Sequence, residues 1–274
     1  MRMLALLLAA PLIGWAADTP VDAGPYVPSP QSVVADMLKL AEVGPKDFVI
    51  DLGSGDGRIV LTAAKVFGAS GFGVEIKDEL VKLSNAAAKK EGVAGRVKFI
   101  KADLFRTDIS KATVLTMYLM PDTVNMLKEK LLGELRPGTR VLSHDYPLSG
   151  WIPEKYVQMD LEDKVKISGV TTTLIYLYMV PAKVQGRWSA SVPAFVGKGP
   201  LTLNLKQQVT RVSGSARLEG RPAVLEDLKI HGDQISFRLA GTKAAFAGKV
   251  KGDAIEGEVQ AGGARAPWSA QLGK

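Results

Sequence analysis

The stretch VIDLGSGDGR, Val49–Arg58, constrains the fold more than any other. Gly53, Gly55 and Gly57 stand at alternate positions between an apolar run, Phe48–Leu52, and a second one, Ile59–Phe67. Glycine tolerates left-handed backbone and lets the chain pass close to a ligand. A short strand that enters such a turn and leaves as a helix opens a βαβ unit. Sheets built from these units bind ligands at the carboxyl ends of their parallel strands.

The neighbouring sequence repeats the pattern. Apolar residues at helical spacing from Ser32 to Val43 end at Gly44-Pro45. Strands are expected at Phe48–Leu52, Gly71–Ile76, Val97–Lys101, Thr113–Leu119 and Arg140–Ser143. Helices are expected at Ile59–Phe67, from Asp78 to Glu91, and from Pro121-Asp122 to Leu135. Strands alternating with helices of this length predict an α/β fold with a parallel sheet covered on both faces. Lys164–Ile167 and Thr172–Val180 follow with no helix expected between them, which predicts an antiparallel pair at the sheet edge.

The pattern changes after Pro181. From Gln185 to Lys274 short alternating runs are punctuated by glycine, with hairpin signals at Gly232-Asp233 and Gly252-Asp253. About eight strands in sequence predict a small all-β meander closing into a barrel. The tripeptide WSA recurs at Trp188 and Trp268, so that pairing of first and last strands would close it. The expected division is therefore residues 1–17 as a leader, 18–31 as linker and lid, 32–182 as the α/β domain and 185–274 as the all-β domain.

The acids decide what the glycine turn holds. A dinucleotide fingerprint would place its third glycine at position 58, where this chain has Arg58. Asp51 precedes the turn, and a negative charge there repels phosphate and attracts cations. Glu75 ends the second strand, where it can accept ribose hydroxyls and exclude a 2′-phosphate. Asp103 ends the third and can accept from an adenine amino group, with the Leu104 amide donating to the ring. Singly, each acid has an ordinary reading as a helix cap, a surface residue or a turn. Jointly, at three successive strand ends, they fit S-adenosylmethionine, which carries a sulfonium, an ammonium, a ribose and an adenine.

DLGSGDGR, GVE and ADLF, in that order, resemble the cofactor motifs of class I S-adenosylmethionine-dependent methyltransferases. PYVPSP at Pro25–Pro30, DLGSGDGRIV at Asp51–Val60 and W-x-P at Trp151–Pro153 resemble, more narrowly, the ATP-synthase c-subunit lysine methyltransferases and their bacterial relatives. The resemblance spans roughly residues 25–180. It implies a Rossmann-like sheet of seven strands and S-adenosyl-L-methionine as cofactor. It further implies that Asp51, Gly53, Ser54, Gly55, Glu75, Asp103 and Leu104 line the cofactor pocket, with Tyr26 lying across it as part of a lid. An amine acceptor, a protein lysine among others, follows from the same resemblance. An export signal and the all-β extension are departures from the mitochondrial enzymes, so the reaction carries over and the target does not.

Acceptor-side residues are less well marked. Tyr118, Met120 and Pro121 in YLMP end the fourth strand, either facing an acceptor or simply buried. His144 and Asp145 in SHDY follow the fifth, as catalytic groups or as structural ones. Trp151 is pocket wall or core. An active methyltransferase competes with an exported binding protein that kept the fold without transfer activity. A nicotinamide dehydrogenase is disfavoured by Asp51 and Arg58.

Composition closes other routes. There is no cysteine, so thiolate chemistry and disulfides are excluded, and two histidines exclude a multi-histidine metal site; no metal is expected. The net charge of +7 comes without basic clusters interleaved with aromatics, so no nucleic-acid partner is expected. Most of that excess lies after Gln185, either as solvated surface or as a contact with anionic surfaces.

Met1-Arg2-Met3, the apolar Leu4–Ile13 and the small residues around Ala16 read as a secretory signal, which predicts export, in a bacterium to the periplasm. An uncleaved tether is the other reading. Mass spectrometry of the secreted chain is expected to find an N-terminus just after Ala16 or Ala17; a chain retaining Met1 would contradict export.

Overall fold

The structure, a computed structural model, describes residues 24–273; the expected leader and the first part of the linker lie outside the described residues. Two sheets organise these residues. The first holds β1 (Phe48–Leu52), β2 (Ser70–Glu75), β3 (Val97–Lys101), β4 (Val114–Met117), β5 (Arg140–His144), β6 (Lys155–Asp160) and β7 (Thr172–Met179). Their order is β3-β2-β1-β4-β5-β7-β6, parallel from β3 to β5, with β7 antiparallel to both neighbours. These are the seven strands implied by the resemblance.

Helices cover both faces: α1 (Gln31–Leu40), α2 (Arg58–Phe67), α3 (Asp78–Lys90), α4 (Pro121–Met126), α5 (Lys128–Glu134) and α6 (Glu162–Ser168). β1 and β4 are buried nearly throughout, as parallel strands sandwiched by helices must be. The chain runs outward in one direction from β1 to β3 and in the other from β4 to β5, so the strand order reverses between β1 and β4. That reversal opens a crevice at the carboxyl ends of the two strands.

Two expectations are corrected here. Lys164–Ile167 is not a strand: it lies in α6, which Gly169 terminates in a left-handed conformation (φ 77°) with its N–H on Val165 O. The antiparallel edge strand is instead Lys155–Asp160, paired to β7. The helix expected up to Leu135 is broken at Leu127 into α4 and α5. The break is mild, because Leu127 N–H still reaches Thr123 O and Leu131 N–H reaches Leu127 O.

The second sheet has nine strands rather than about eight: β8 (Gly186–Ser191), β9 (Leu201–Gln208), β10 (Arg211–Leu218), β11 (Arg221–Ala223), β12 (Leu225–His231), β13 (Gln234–Leu239), β14 (Ala244–Lys251), β15 (Ala254–Ala261) and β16 (Ala264–Leu272). All pairs are antiparallel, in the order β11-β10-β9-β8-β16-β15-β14-β13-β12. The first and last strands do pair, Trp188 opposite Leu272 and Ala190 opposite Ala270. That seam sits in the middle of the sheet. The ends meet through one bent run, Arg221–His231, whose first part pairs with β10 and whose second pairs with β13. The result is a nearly closed barrel.

Its core is aromatic. Phe237 and Phe246 stack at 4.6 Å, and the Trp268 ring stands edge-on to them at 5.6 and 5.2 Å. Gly248 lies opposite Gly257, and a Cβ on Gly248 would come within 3.0 Å of the Trp268 ring. Trp188 is fully buried and donates its indole N–H to Val184 O at 2.8 Å. The connection after β7 is tied to the barrel by Ala182 N–H donating to Gly232 O (2.7 Å) and Gln207 Nε2 donating to Ala182 O (2.8 Å), and the sheets meet where a Cβ on Gly232 would come 3.6 Å from Met179 Cγ.

Replacing Trp188 with alanine removes the largest buried side chain of the barrel and a satisfied indole. The expected cost is about 3–5 kcal/mol, read as a lowered denaturant midpoint. An unchanged midpoint would show that the barrel core does not depend on it.

Candidate functional site

The glycine turn is shaped by the backbone it must follow. Gly53, Gly55 and Gly57 have φ of 76°, 54° and 82°, the region closed to most side chains. Space is as restrictive as torsion. A Cβ at Gly53 would lie 2.6 Å from Leu119 Cδ2, and one at Gly57 would lie 2.5 Å from Phe99 Cζ. Gly53 and Ser54 N–H groups both donate to Val74 O, at 2.9 and 2.8 Å, locking the turn against the end of β2.

Glu75 completes that lock. It is 8 % exposed and accepts three backbone donors: Gly55 N–H on Oε2 at 2.9 Å, Ile76 N–H on Oε1 at 2.9 Å, and Lys77 N–H on Oε1 at 3.0 Å. A carboxylate has about four acceptor positions, so Oε2 keeps room for one further donor. One ribose hydroxyl fits that capacity; a second would have to displace an amide.

Asp51 ends up in a different state. It is 2 % exposed, and its one hydrogen-bond donor among the described residues is Thr116 Oγ1 at 2.6 Å. Burial raises its pKa to about 7; the Thr116 hydroxyl opposes the shift, and the charges of Glu75 and Asp56 add to it. It is a buried acid with no cation beside it among the described residues, at the edge of a crevice. A positively charged ligand group is what this position lacks.

That crevice is an open cleft over the carboxyl ends of the parallel strands, where α/β sheets bind ligands. Tyr26, Asp51, Gly53, Ser54, Gly55, Glu75, Asp103, Leu104 and Tyr118 all line it. Asp103 Oδ1 accepts Phe105 N–H at 2.8 Å. Leu104 N–H makes no hydrogen bond among the described residues, leaving a donor beside that acid. Ser54 is buried, and its hydroxyl has no partner among the described residues.

The lid is tied down from several sides. The Tyr26 ring lies against Gly55, where any Cβ would collide with it. Burial, then the charge of Asp56, raise the pKa of Tyr26. Arg58 grips Asp56 through Nε (2.9 Å) and Nη2 (2.6 Å) and donates from Nη1 to Ser29 O at 2.6 Å. Ser29 Oγ shares a 2.8 Å hydrogen bond with His144 Nδ1. Arg58, at the position where a dinucleotide site has glycine, thus holds the lid onto the turn. Its role, like that of Ser29, escaped the sequence reading; the proline-flanked serine and the arginine lie 29 residues apart.

Behind Tyr118 lies a buried polar cluster. His144 and Asp145 do not line the crevice. The Tyr118 hydroxyl donates to Asp145 Oδ2 at 2.9 Å, and its ring packs against His144 at 3.9 Å, tilted by 33°. Asp145 also accepts Lys164 Nζ at 2.6 Å and Leu174 N–H at 3.1 Å. Burial works against its charge, but His144, Lys164, Leu174 N–H and Tyr118 outweigh it and hold its pKa below the usual range. His144 is fully buried, which lowers its pKa to about 4; it is neutral at physiological pH. Burial first, then the Asp145 charge, push the Tyr118 pKa up. Asp145 itself has φ 63°, a strained conformation for a residue with a side chain. Lys164, 2 % exposed, was missed because its segment reads as a strand. Trp151 is in the core, packed on Tyr178 at 5.5 Å.

Comparison with known proteins follows the same outline. The family described as ANTKMT methyltransferase domain matches residues 51–155. A protein-lysine N-methyltransferase of Saccharolobus islandicus is 45 % identical over 157 residues, 57 % of this chain and 93 % of that protein. A lysine N-methyltransferase of Xenopus laevis, named for the ATP synthase c-subunit, is 35 % identical over 130 residues, 47 % of this chain; the match spans only 57 % of that enzyme's length. Among solved structures, an RNA methyltransferase from Salinibacter ruber in complex with S-adenosyl-L-homocysteine is 44 % identical, with a TM-score of 0.52 over 58 % of this chain and 96 % of that one.

Asp51 generates a pH prediction. Its folded pKa of about 7 stands above the ordinary value of 3.8, so the fold prefers it protonated. Stability is therefore expected to fall as pH rises from about 4 towards 7 and to level off above. Asp51→Asn, which keeps the Thr116 bond, is expected to raise the melting temperature by several degrees at pH 8 and to leave it nearly unchanged at pH 4. Equal effects at both pH values would contradict the buried, unpaired acid.

Proposed function

The chain belongs to the S-adenosylmethionine-dependent protein-lysine methyltransferases, and we propose that it transfers a methyl group to the amine of a protein lysine entering beside Tyr118. The observation that carries this reading is the fully buried Asp51, set without a cation among the described residues at the edge of a crevice that Glu75 and Asp103 also line. Those residues fit the cofactor group by group. Asp51 would face its charged methionine end, Glu75 one ribose hydroxyl, and Asp103 with the Leu104 amide its adenine, with Tyr26 closing over them. S-adenosylmethionine, when bound, supplies a methyl group already activated on a sulfonium.

The protein's own contribution is alignment and exclusion of water. Tyr118 directs its hydroxyl hydrogen at Asp145 and lines the crevice, so its oxygen keeps acceptor capacity for a group bound there. An acceptor amine can donate to that oxygen. With its pKa raised, Tyr118 stays protonated and positions the amine without acting as its base. Asp145 and Lys164 are positioning residues: they fix the tyrosine from behind. His144, neutral and buried, supports the tyrosine ring and links it to the lid through Ser29. The expected catalytic group of Tyr118, His144 and Asp145 is thereby divided into one acceptor-facing residue and two supporting ones.

The test is incubation with labelled S-adenosylmethionine and cell-envelope extract. Label is expected on protein, recovered as N-methyl-lysine. Tyr118→Phe is expected to reduce labelling about 10–100-fold, the worth of one positioned hydrogen bond, with cofactor affinity unchanged. Label on RNA, the acceptor named for the Salinibacter ruber relative, would overturn the lysine assignment. Cofactor binding without any labelling would favour an exported binding protein.

A further inference from the structure

We propose that the end of the barrel remote from the first sheet docks onto an anionic phospholipid bilayer. This inference is independent of the identity of the methyl acceptor.

Charge is the first observation. Residues 181–223 contain Lys183, Arg187, Lys198, Lys206, Arg211, Arg217 and Arg221 against one acid, Glu219. The remaining strands are nearly balanced and internally paired: Arg238 with Asp227 at 2.8 Å, Lys249 with Asp233 at 2.7 Å, Lys251 with Glu256 at 2.5 Å. Among the described residues, none of the seven cations on the β8–β11 side has a carboxylate partner. Glu219 is itself taken by the backbone N–H of Lys198. The excess positive charge of the barrel is thus gathered on four adjacent strands and left uncompensated.

Strand direction gives the second observation. The Gly232-Asp233 turn lies against the first sheet: a Cβ on Gly232 would come 3.6 Å from Met179 Cγ at the end of β7. Following the meander from it, the β8–β9 loop, residues 192–200, and the β10–β11 turn fall at the opposite end. They are joined there by Glu219 N–H on Pro200 O. Of the seven cations, Lys198, Arg217 and Arg221 lie at that end; Lys183, Arg187, Lys206 and Arg211 lie nearer the first sheet on the same side of the barrel. Two apolar side chains stand out of the surface with the first three: Phe195, 41 % exposed, and Val224, 64 % exposed. The same loop overhangs a shallow groove lined by Ser189, Ser191, Ser269, Gln271 and Lys198. Hydroxyls, an amide and an ammonium suit a phosphodiester headgroup.

Cations around protruding apolar side chains fit a bilayer, which rewards both apolar insertion and positive charge. A nucleic acid fits less well. Single strands are held by a series of aromatic platforms, and this end exposes one ring. Val224 would have no role against a phosphate backbone.

Co-sedimentation of the full chain with vesicles tests the proposal. Binding is expected to vesicles of phosphatidylglycerol with phosphatidylcholine and not to phosphatidylcholine alone, and it is expected to weaken with salt. The double variant Arg217→Gln, Arg221→Gln is expected to lower vesicle affinity about twenty-five-fold, on the order of five-fold per cation. Phe195→Ser is expected to abolish the binding that survives high salt. Both variants should keep the wild-type melting temperature; where one does not, the salt dependence of the wild type decides. Equal binding to both vesicle types, no binding, or displacement from vesicles by RNA at matched phosphate concentration would overturn it.

Discussion

The site rests on one buried carboxylate. Glu75 receives backbone donors from two separate turns, Gly55 after β1 and Ile76 and Lys77 after β2. A carboxyl group surrounded by amide donors satisfies the exposed peptide groups of both turns at once. It is fixed before any ligand arrives. The glycine turn can keep its three left-handed residues because Glu75 and Val74 O hold it from the β2 side, while Arg58 and Ser29 hold the lid over it. Loss of this carboxylate would leave donors of both turns buried and unpaired, a cost separate from any lost ligand contact.

Around that anchor, two acids are buried in opposite ways. Asp145 is surrounded by donors, including the Lys164 ammonium, and stays charged. Asp51 has one hydroxyl and two neighbouring acids, and its charge is suppressed. The first arrangement is complete and supports Tyr118. The second is incomplete, and completing it requires a cation from outside. The two carboxylates thus differ in what balances them rather than in how deeply they lie.

Much of this was legible in the chain itself. The alternate glycines and the acids at Asp51, Glu75 and Asp103 mark strand ends by local chemistry, and local chemistry is what a sequence displays. The seven-stranded sheet followed from the strand and helix alternation with the family resemblance. The misread segment, Lys164–Ile167, shows the limit. Its alternation of polar and apolar residues suits a strand, but tertiary contact decides it, since Lys164 reaches Asp145 from the helix. Arg58 to Ser29 and Ser29 to His144 are long-range pairs between residues with no distinguishing spacing. The barrel's strand count was close. Its closure by a bent run through Val224 was hidden, because pairing with two partners in succession leaves no compositional mark.

The central place of β16 in its sheet has a consequence for biosynthesis. β16 bridges β8 and β15, so the two halves of the barrel have no ladder joining them through the seam until the last strand has emerged. The α/β sheet needs nothing beyond β7. On a translating ribosome, the catalytic half can therefore fold while its companion remains an open, edge-bearing meander awaiting a keystone.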